Sequence, residues 1–146
     1  PDKISLCEVT NYIKEMEFLD KDELLNQDTD PNITFIHGFI DLIVEHNNKW
    51  YIIDWKSNVL QNGYSYEEVK KSIYESHYDL QFLIYSRSLV KYLKKRLIDY
   101  NYDTHFGGIY YIYLRGVDEK DPNQGIFIYR PEKESDLYDL TNSASD

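Results

Sequence analysis

Three residues in two apolar runs have the types and spacing for joint chemistry. Asp41 stands inside Phe39-Ile40-Asp41-Leu42-Ile43, and Asp54 stands inside Ile52-Ile53-Asp54-Trp55-Lys56. Burying a carboxylate without a partner is costly. Acids in core-like runs therefore need a metal, a base or a dense set of hydrogen bonds. One divalent cation shared by both acids would meet both needs. Lys56 follows Asp54 by two positions, which in a strand puts both side chains on one face. Beside a metal-bound water, such a lysine can orient the nucleophile or stabilise charge on a phosphate. The metal lowers the pKa of its water and binds a phosphoryl oxygen. These parts suffice for phosphodiester hydrolysis without a nucleophilic side chain. Acid-x-Lys alone is a weak pattern, since Glu68-Val69-Lys70 and Asp118-Glu119-Lys120 repeat it. The competing reading makes Asp54 and Lys56 an ion pair at a strand end, with Asp41 capping a turn.

The elements around these residues follow from hydrophobic period and turn chemistry. Tyr12 to Leu19 alternate loosely and read as a strand, followed by a loop over residues 20–32 that closes at Pro31-Asn32. Residues 33–45 and 50–56 have the β-branched and aromatic composition of buried strands. The Asn-rich turn His46 to Lys49 makes the pair a β-hairpin. Residues 57–64 form a loop. Ser65 and Glu68 have capping-box spacing, so a helix starts there and runs to about His77. A longer helix is expected from Asp79 to Tyr100, with Leu80, Leu83, Ile84, Leu89, Val90, Leu93 and Leu97 on its period. Residues 108–114 and Ile126 to Tyr129 are further strands. A helix stub is expected near Ser135, and a mobile polar tail from about the same point. The order β-β-β-α-α-β-β implies an α/β fold with a mixed central sheet flanked by helices.

Composition narrows the class. The 146 residues suit a single domain with one core, and 42% hydrophobic content argues against disorder. Cys7 is the sole cysteine, which excludes an internal disulfide framework and fits a reducing cytoplasm. No apolar run is long enough to span a membrane, and no signal peptide is visible. The chain starts at Pro1 without methionine, which suggests a piece of something longer. A net charge of −10 disfavours a free-standing nucleic-acid binder, because phosphate contacts need Lys and Arg. It is compatible with a soluble acidic surface, or with a cutting domain whose tethered neighbour delivers the strand.

Several runs together resemble the PD-(D/E)xK nuclease signature in its RecB form. Gly38-Phe39-Ile40-Asp41-Leu42 and Ile53-Asp54-Trp55-Lys56-Ser57-Asn58 carry the first part. His77-Tyr78-Asp79-Leu80-Gln81 followed by Tyr85 resembles the family's helical motif, whose Gln and Tyr, four apart, share one helix face. His105-Phe106-Gly107-Gly108-Ile109 and Tyr113-Leu114-Arg115-Gly116-Val117 resemble the strand and loop that close the RecB domain. The likeness covers residues 11–131 in the family's order. It implies a restriction-endonuclease-like core in which Asp41 and Asp54 bind catalytic magnesium, with manganese as a possible substitute. It further implies the Trp55 backbone carbonyl as a ligand and Lys56 as the residue serving the attacking water. Gln81 and Tyr85 would support the site or contact DNA, and His77 could approach the DNA or cap its helix. Glu15 and Glu17 lie in a strand-like segment that also resembles the family; a solvated strand face is the preferred reading for them. His37 is read as a strand histidine, and His105 as a boundary residue. One departure stands out: the family's metal-ligating helix histidine has no counterpart here.

The resemblance also implies a larger machine of the exodeoxyribonuclease V type. The expected partners are linear single- and double-stranded DNA, the helicase part of RecB, the RecC and RecD subunits and the RecA recombinase. The helical surface after Ser65 is the candidate for the recombinase. No Gly-x-x-x-x-Gly-Lys-Ser/Thr loop is present, so ATP should not bind this piece. The alternative to a nuclease is a catalytically idle module of the same fold that serves protein interaction. A third reading is a plain acidic α/β domain with buried ion pairs.

Overall fold

The computed structural model describes residues 8–21 and 35–139. Strand β1 spans Asn11–Lys21, β2 Phe35–His46 and β3 Lys49–Lys56. Helices α1 (Tyr66–Glu75), α2 (Tyr78–Arg96) and the short α3 (Tyr102–His105) follow, then β4 (Phe106–Tyr113) and β5 (Ile126–Tyr129). A 3-10 turn over Glu134–Tyr138 ends the described chain. The five strands form one sheet in chain order. Only β3 and β4 run parallel; the other neighbours are antiparallel. A parallel neighbour needs a crossover connection, and the three helices supply it.

Local chemistry explains the ends of the elements. Asn47 and Asn48 have φ of 51° and 63°, the two left-handed residues of a tight hairpin turn, and Asn tolerates that region well. The Ser65 hydroxyl accepts from the Glu68 N–H and starts α1. The second helix stops at Arg96, short of Tyr100, because Leu97 turns to extended backbone. Asn101 then caps α3 by accepting from the Thr104 N–H, a turn that the helical period over 79–100 does not reveal. Asp20 and Lys21 belong to β1 rather than to a loop; most of the expected 20–32 loop lies outside the described residues. Leu80 is exposed, so the buried face of α2 is carried by Phe82, Leu83, Leu89, Val90 and Leu93.

The main core lies between the helices and one sheet face, with Ile43, Ile52, Ile73, Leu89, Leu93, Phe106 and Ile109 fully or almost fully buried. A smaller cluster of Val44, Tyr51, Ile53 and Tyr110 occupies the other face.

The two middle strands do not stay together. The last β2–β3 pair is Leu42 with Ile53. Beyond it β3 continues against β4 as far as Lys56 and Tyr113, while β2 continues against β1. Ile40 and Ile43 both enter the main core although they are three apart. Regular alternation forbids that, so β2 switches faces between them, at Asp41 and Leu42. Across on β1, Glu15 has φ 49°, and the Glu15–Asp41 position is missing from an otherwise continuous register. A local break of this kind re-aims a side chain at a sheet's opening. Asp41 and Asp54 stand at the fork.

Candidate active site

Asp54 and Lys56 sit on the helix side of β3 and are buried to 3% and 7% exposure. Lys56 Nζ lies 2.6 Å from Asp54 Oδ2 and donates to Gln81 Oε1 at 2.8 Å. Gln81 Nε2 in turn donates to Tyr85 Oη at 3.0 Å. One turn of α2 separates Gln81 from Tyr85, which is why one face of the helix delivers both. The expected residues Asp54, Lys56, Gln81 and Tyr85 therefore form one continuous chain of contacts.

Asp41 reaches the same place differently from the expectation. It is exposed, not buried, because β2 changes face there and leaves β3. Its Oδ2 accepts from the Trp55 backbone N–H at 3.4 Å. The N–H and C=O of one strand residue point to the same side, so the Trp55 carbonyl faces the fork as well. The Trp55 ring is partly exposed. His77 holds the left-handed N-cap position of α2 (φ 55°) without a side-chain cap bond, and its exposed ring stays outside the contact chain. Glu17 pairs with His37 at 2.8 Å on an exposed strand face, and Glu15 is exposed at the strand break. His105 shares hydrogen bonds with the Asn101 backbone and stacks on Tyr100.

Burial pushes the Asp54 carboxyl above its ordinary value; the Lys56 contact pulls it back and the Asp41 charge pushes it up further. Burial also raises the Tyr85 phenol, helped by the Asp54 charge and opposed by its bond with Gln81. Tyr85 is thus a neutral phenol at neutral pH.

The donors fit a divalent cation. Asp54 Oδ2 is buried and near Lys56, yet has no aligned hydrogen bond. A buried carboxylate oxygen in that condition is short of one partner. Asp41 and the Trp55 carbonyl add hard oxygen donors at the same opening. Among the described residues no group of three or more His, Cys, Asp or Glu side chains gathers to hold a metal. Two carboxylates are still enough for magnesium, which keeps several waters and takes only one or two protein carboxylates.

Sequence reasoning assigned no role to Tyr78 and Tyr111. Their ring centroids lie 3.8 and 5.1 Å from Lys56 Nζ. Tyr78 could have been found from its place three residues before Gln81, on the same helix face. Tyr111 is opposite Asp54 in the parallel β3–β4 register, a pairing that no local pattern encodes.

Comparison with known proteins shows the family. The model of the PD-(D/E)XK nuclease superfamily matches residues 7–145. The RecBCD enzyme subunit RecB of Buchnera aphidicola (subsp. Schizaphis graminum) is 37% identical over 153 residues, covering 88% of this chain and 13% of that protein. RecB of Escherichia coli K12 is 41% identical over 99 residues, covering 66% of this chain and 8% of its own length. RecB of Haemophilus influenzae is 42% identical over 102 residues, with coverage of 68% and 8%. The chain thus spans between 8% and 13% of the length of these relatives. With the family model matched along nearly its whole length, the chain belongs to the PD-(D/E)XK nuclease superfamily, in its RecB form.

Proposed function

We propose that this chain hydrolyses phosphodiester bonds of linear DNA, as the magnesium-dependent nuclease domain of a RecBCD-type helicase–nuclease acting in break repair and recombination. The observation that carries the reading is the contact chain Asp54–Lys56–Gln81–Tyr85 at a fork that also holds Asp41. Asp41, Asp54 and the Trp55 carbonyl would hold magnesium, for which manganese can substitute. When bound, the cation supplies a water of lowered pKa and a Lewis acid for the phosphoryl oxygen. Lys56 directs an N–H toward the attacking water or the phosphate. Gln81 Oε1 accepts a hydrogen bond from another Lys56 N–H and fixes the side chain's direction, and Tyr85 fixes Gln81. The water oxygen bonds to phosphorus and gives one proton to solvent, one phosphorus–oxygen bond to the sugar breaks, and the departing oxygen takes a proton from solvent.

By likeness to the RecB relatives, the proposed partners are the motor part of RecB and the RecC and RecD subunits, in the cytoplasm. The α1 surface is a candidate contact for RecA. Delivery by a tethered motor also suits the chain's acidity.

End-labelled linear single-stranded DNA, incubated with the chain and magnesium, tests the reading. Shortening is expected with the native chain, and none with Asp54→Ala, Lys56→Ala or EDTA. A well-folded chain that neither cuts nor gains thermal stability from magnesium or manganese overturns it in favour of an idle interaction module.

A further inference from the structure

The Lys56 ammonium has three close neighbours. One contact is Asp54 Oδ2 at 2.6 Å, the second is Gln81 Oε1 at 2.8 Å, and the third is the Tyr78 ring, its centroid 3.8 Å from Nζ. That ring is itself fixed. It stacks on Tyr111 at 6.1 Å and 23°. The Tyr111 hydroxyl donates to the Tyr78 carbonyl at 2.9 Å, and Asn58 Nδ2 approaches Tyr78 Oη at 3.5 Å. A buried ammonium gains from an aromatic face, whose quadrupole attracts the cation where water is excluded.

We infer that Tyr78 is a positioning residue: its ring face and Gln81 form a two-point seat that leaves the Asp54 side of the Lys56 ammonium as the working one. The inference rests on the nuclease reading for its catalytic consequence but not for the seat itself. An alkyl side chain at position 78 would fill the space without attracting the cation. Lys56 would then swing among rotamers, and small misplacements of a catalytic group are costly to rate.

The test separates ring electronics from shape. Phenylalanine and a trifluorinated phenylalanine are placed at position 78 beside Tyr78→Leu, and all are assayed in the full chain with magnesium and labelled DNA. Tyr78→Phe should keep the cutting rate within about twofold. Tyr78→Leu should lower the rate at saturating DNA by roughly ten- to thirtyfold, with a much smaller change in KM. The fluorinated ring, equal in shape but poor in π-density, should fall between them. Equal rates for all rings and for leucine overturn the positioning role.

A second readout needs no activity. The Lys56 ε-methylene protons should show an upfield ring-current shift in NMR spectra of the native chain and Tyr78→Phe, reduced in Tyr78→Leu to what the more distant Tyr111 ring supplies. An unshifted native signal overturns the seat. A native chain that cuts nothing removes the nuclease reading and the catalytic consequence together. The ring-current result still decides whether Tyr78 seats Lys56.

Discussion

At the scale of single residues, Asp54 and Lys56 set charge pairing against desolvation. Both are buried, and their attraction offsets a desolvation cost. Removing Lys56 leaves an uncompensated carboxylate, so Lys56→Ala should destabilise the metal-free chain by about 3–5 kcal/mol. Asp54→Asn should do the opposite, because the Lys56 ammonium keeps Gln81 Oε1 and the Tyr78 ring as partners. The raised Asp54 pKa means that the folded chain holds this proton more tightly than the unfolded chain. The associated stability is complete below the ordinary value of 3.8 and is lost as pH rises through the raised folded value. In EDTA, melting curves of Asp54→Asn and the native chain should coincide below that pH. Toward neutrality the variant should melt higher. Magnesium should reverse the order by stabilising only the native chain: at 100 times Kd the gain is about 2.7 kcal/mol. A variant that melts lower at every pH would mean that the carboxylate is a net stabiliser of the fold.

At the scale of elements, the fork depends on how β1 lies over β2. Gly38 lets the Phe18 ring rest on the β2 backbone; a Cβ there would lie 2.8 Å from Phe18 Cζ. Phe18 is buried and meets Tyr85 edge-on at 5.5 Å, so the same contact supports the far end of the Lys56–Gln81–Tyr85 chain. Gly38→Val should therefore cost roughly 1–3 kcal/mol in denaturant unfolding through overpacking. It should also slow cutting, although position 38 offers no side chain to the chemistry. Stability falling while cutting per folded molecule stays constant would separate Phe18 from the site. Helix α1 is held to β4 by the Tyr113 hydroxyl, which donates to Ser72 Oγ at 3.0 Å in a buried setting. Ser72→Ala leaves that hydroxyl without its acceptor and should cost about 1–2 kcal/mol, read from the same unfolding curves.

At the scale of the whole molecule, the charge of −10 limits how DNA can be held. A chain that neutralises one or two phosphates of a single strand has a shallow salt dependence, with a log–log slope of about −0.7 to −1.4. Anisotropy of labelled single-stranded DNA between low and moderate salt should show weak binding with that slope. A steep slope would reveal a basic track on the surface and remove the need for a tethered motor. On the proposed reading, fusing the chain to a partner that holds DNA should raise cutting through effective concentration.

Much of this protein was legible without coordinates because its signals are local. The Asn47-Asn48 turn, the apolar runs of β2 and β3, the Ser65 cap and the Gln81–Tyr85 spacing each depend on neighbours in the chain, and a strand or helix period converts them into shared faces. The same logic placed Asp54 and Lys56 on one face. The end of α2 at Arg96 and the separate α3 escaped notice because Leu97, an apolar residue in phase with the helix, breaks it through backbone conformation. The exposure of Asp41 escaped for a related reason. A strand that changes face mid-run looks like any continuous apolar run, and the change is set by where β2 trades β3 for β1. Tyr111 beneath Lys56 depends on a parallel pairing between strands separated by three helices. Sequence alone determined which groups make up the candidate site and on which elements they ride. Only tertiary structure decided which acid is buried, which is open, and what the lysine rests on, because those outcomes depend on contacts between segments remote in the chain.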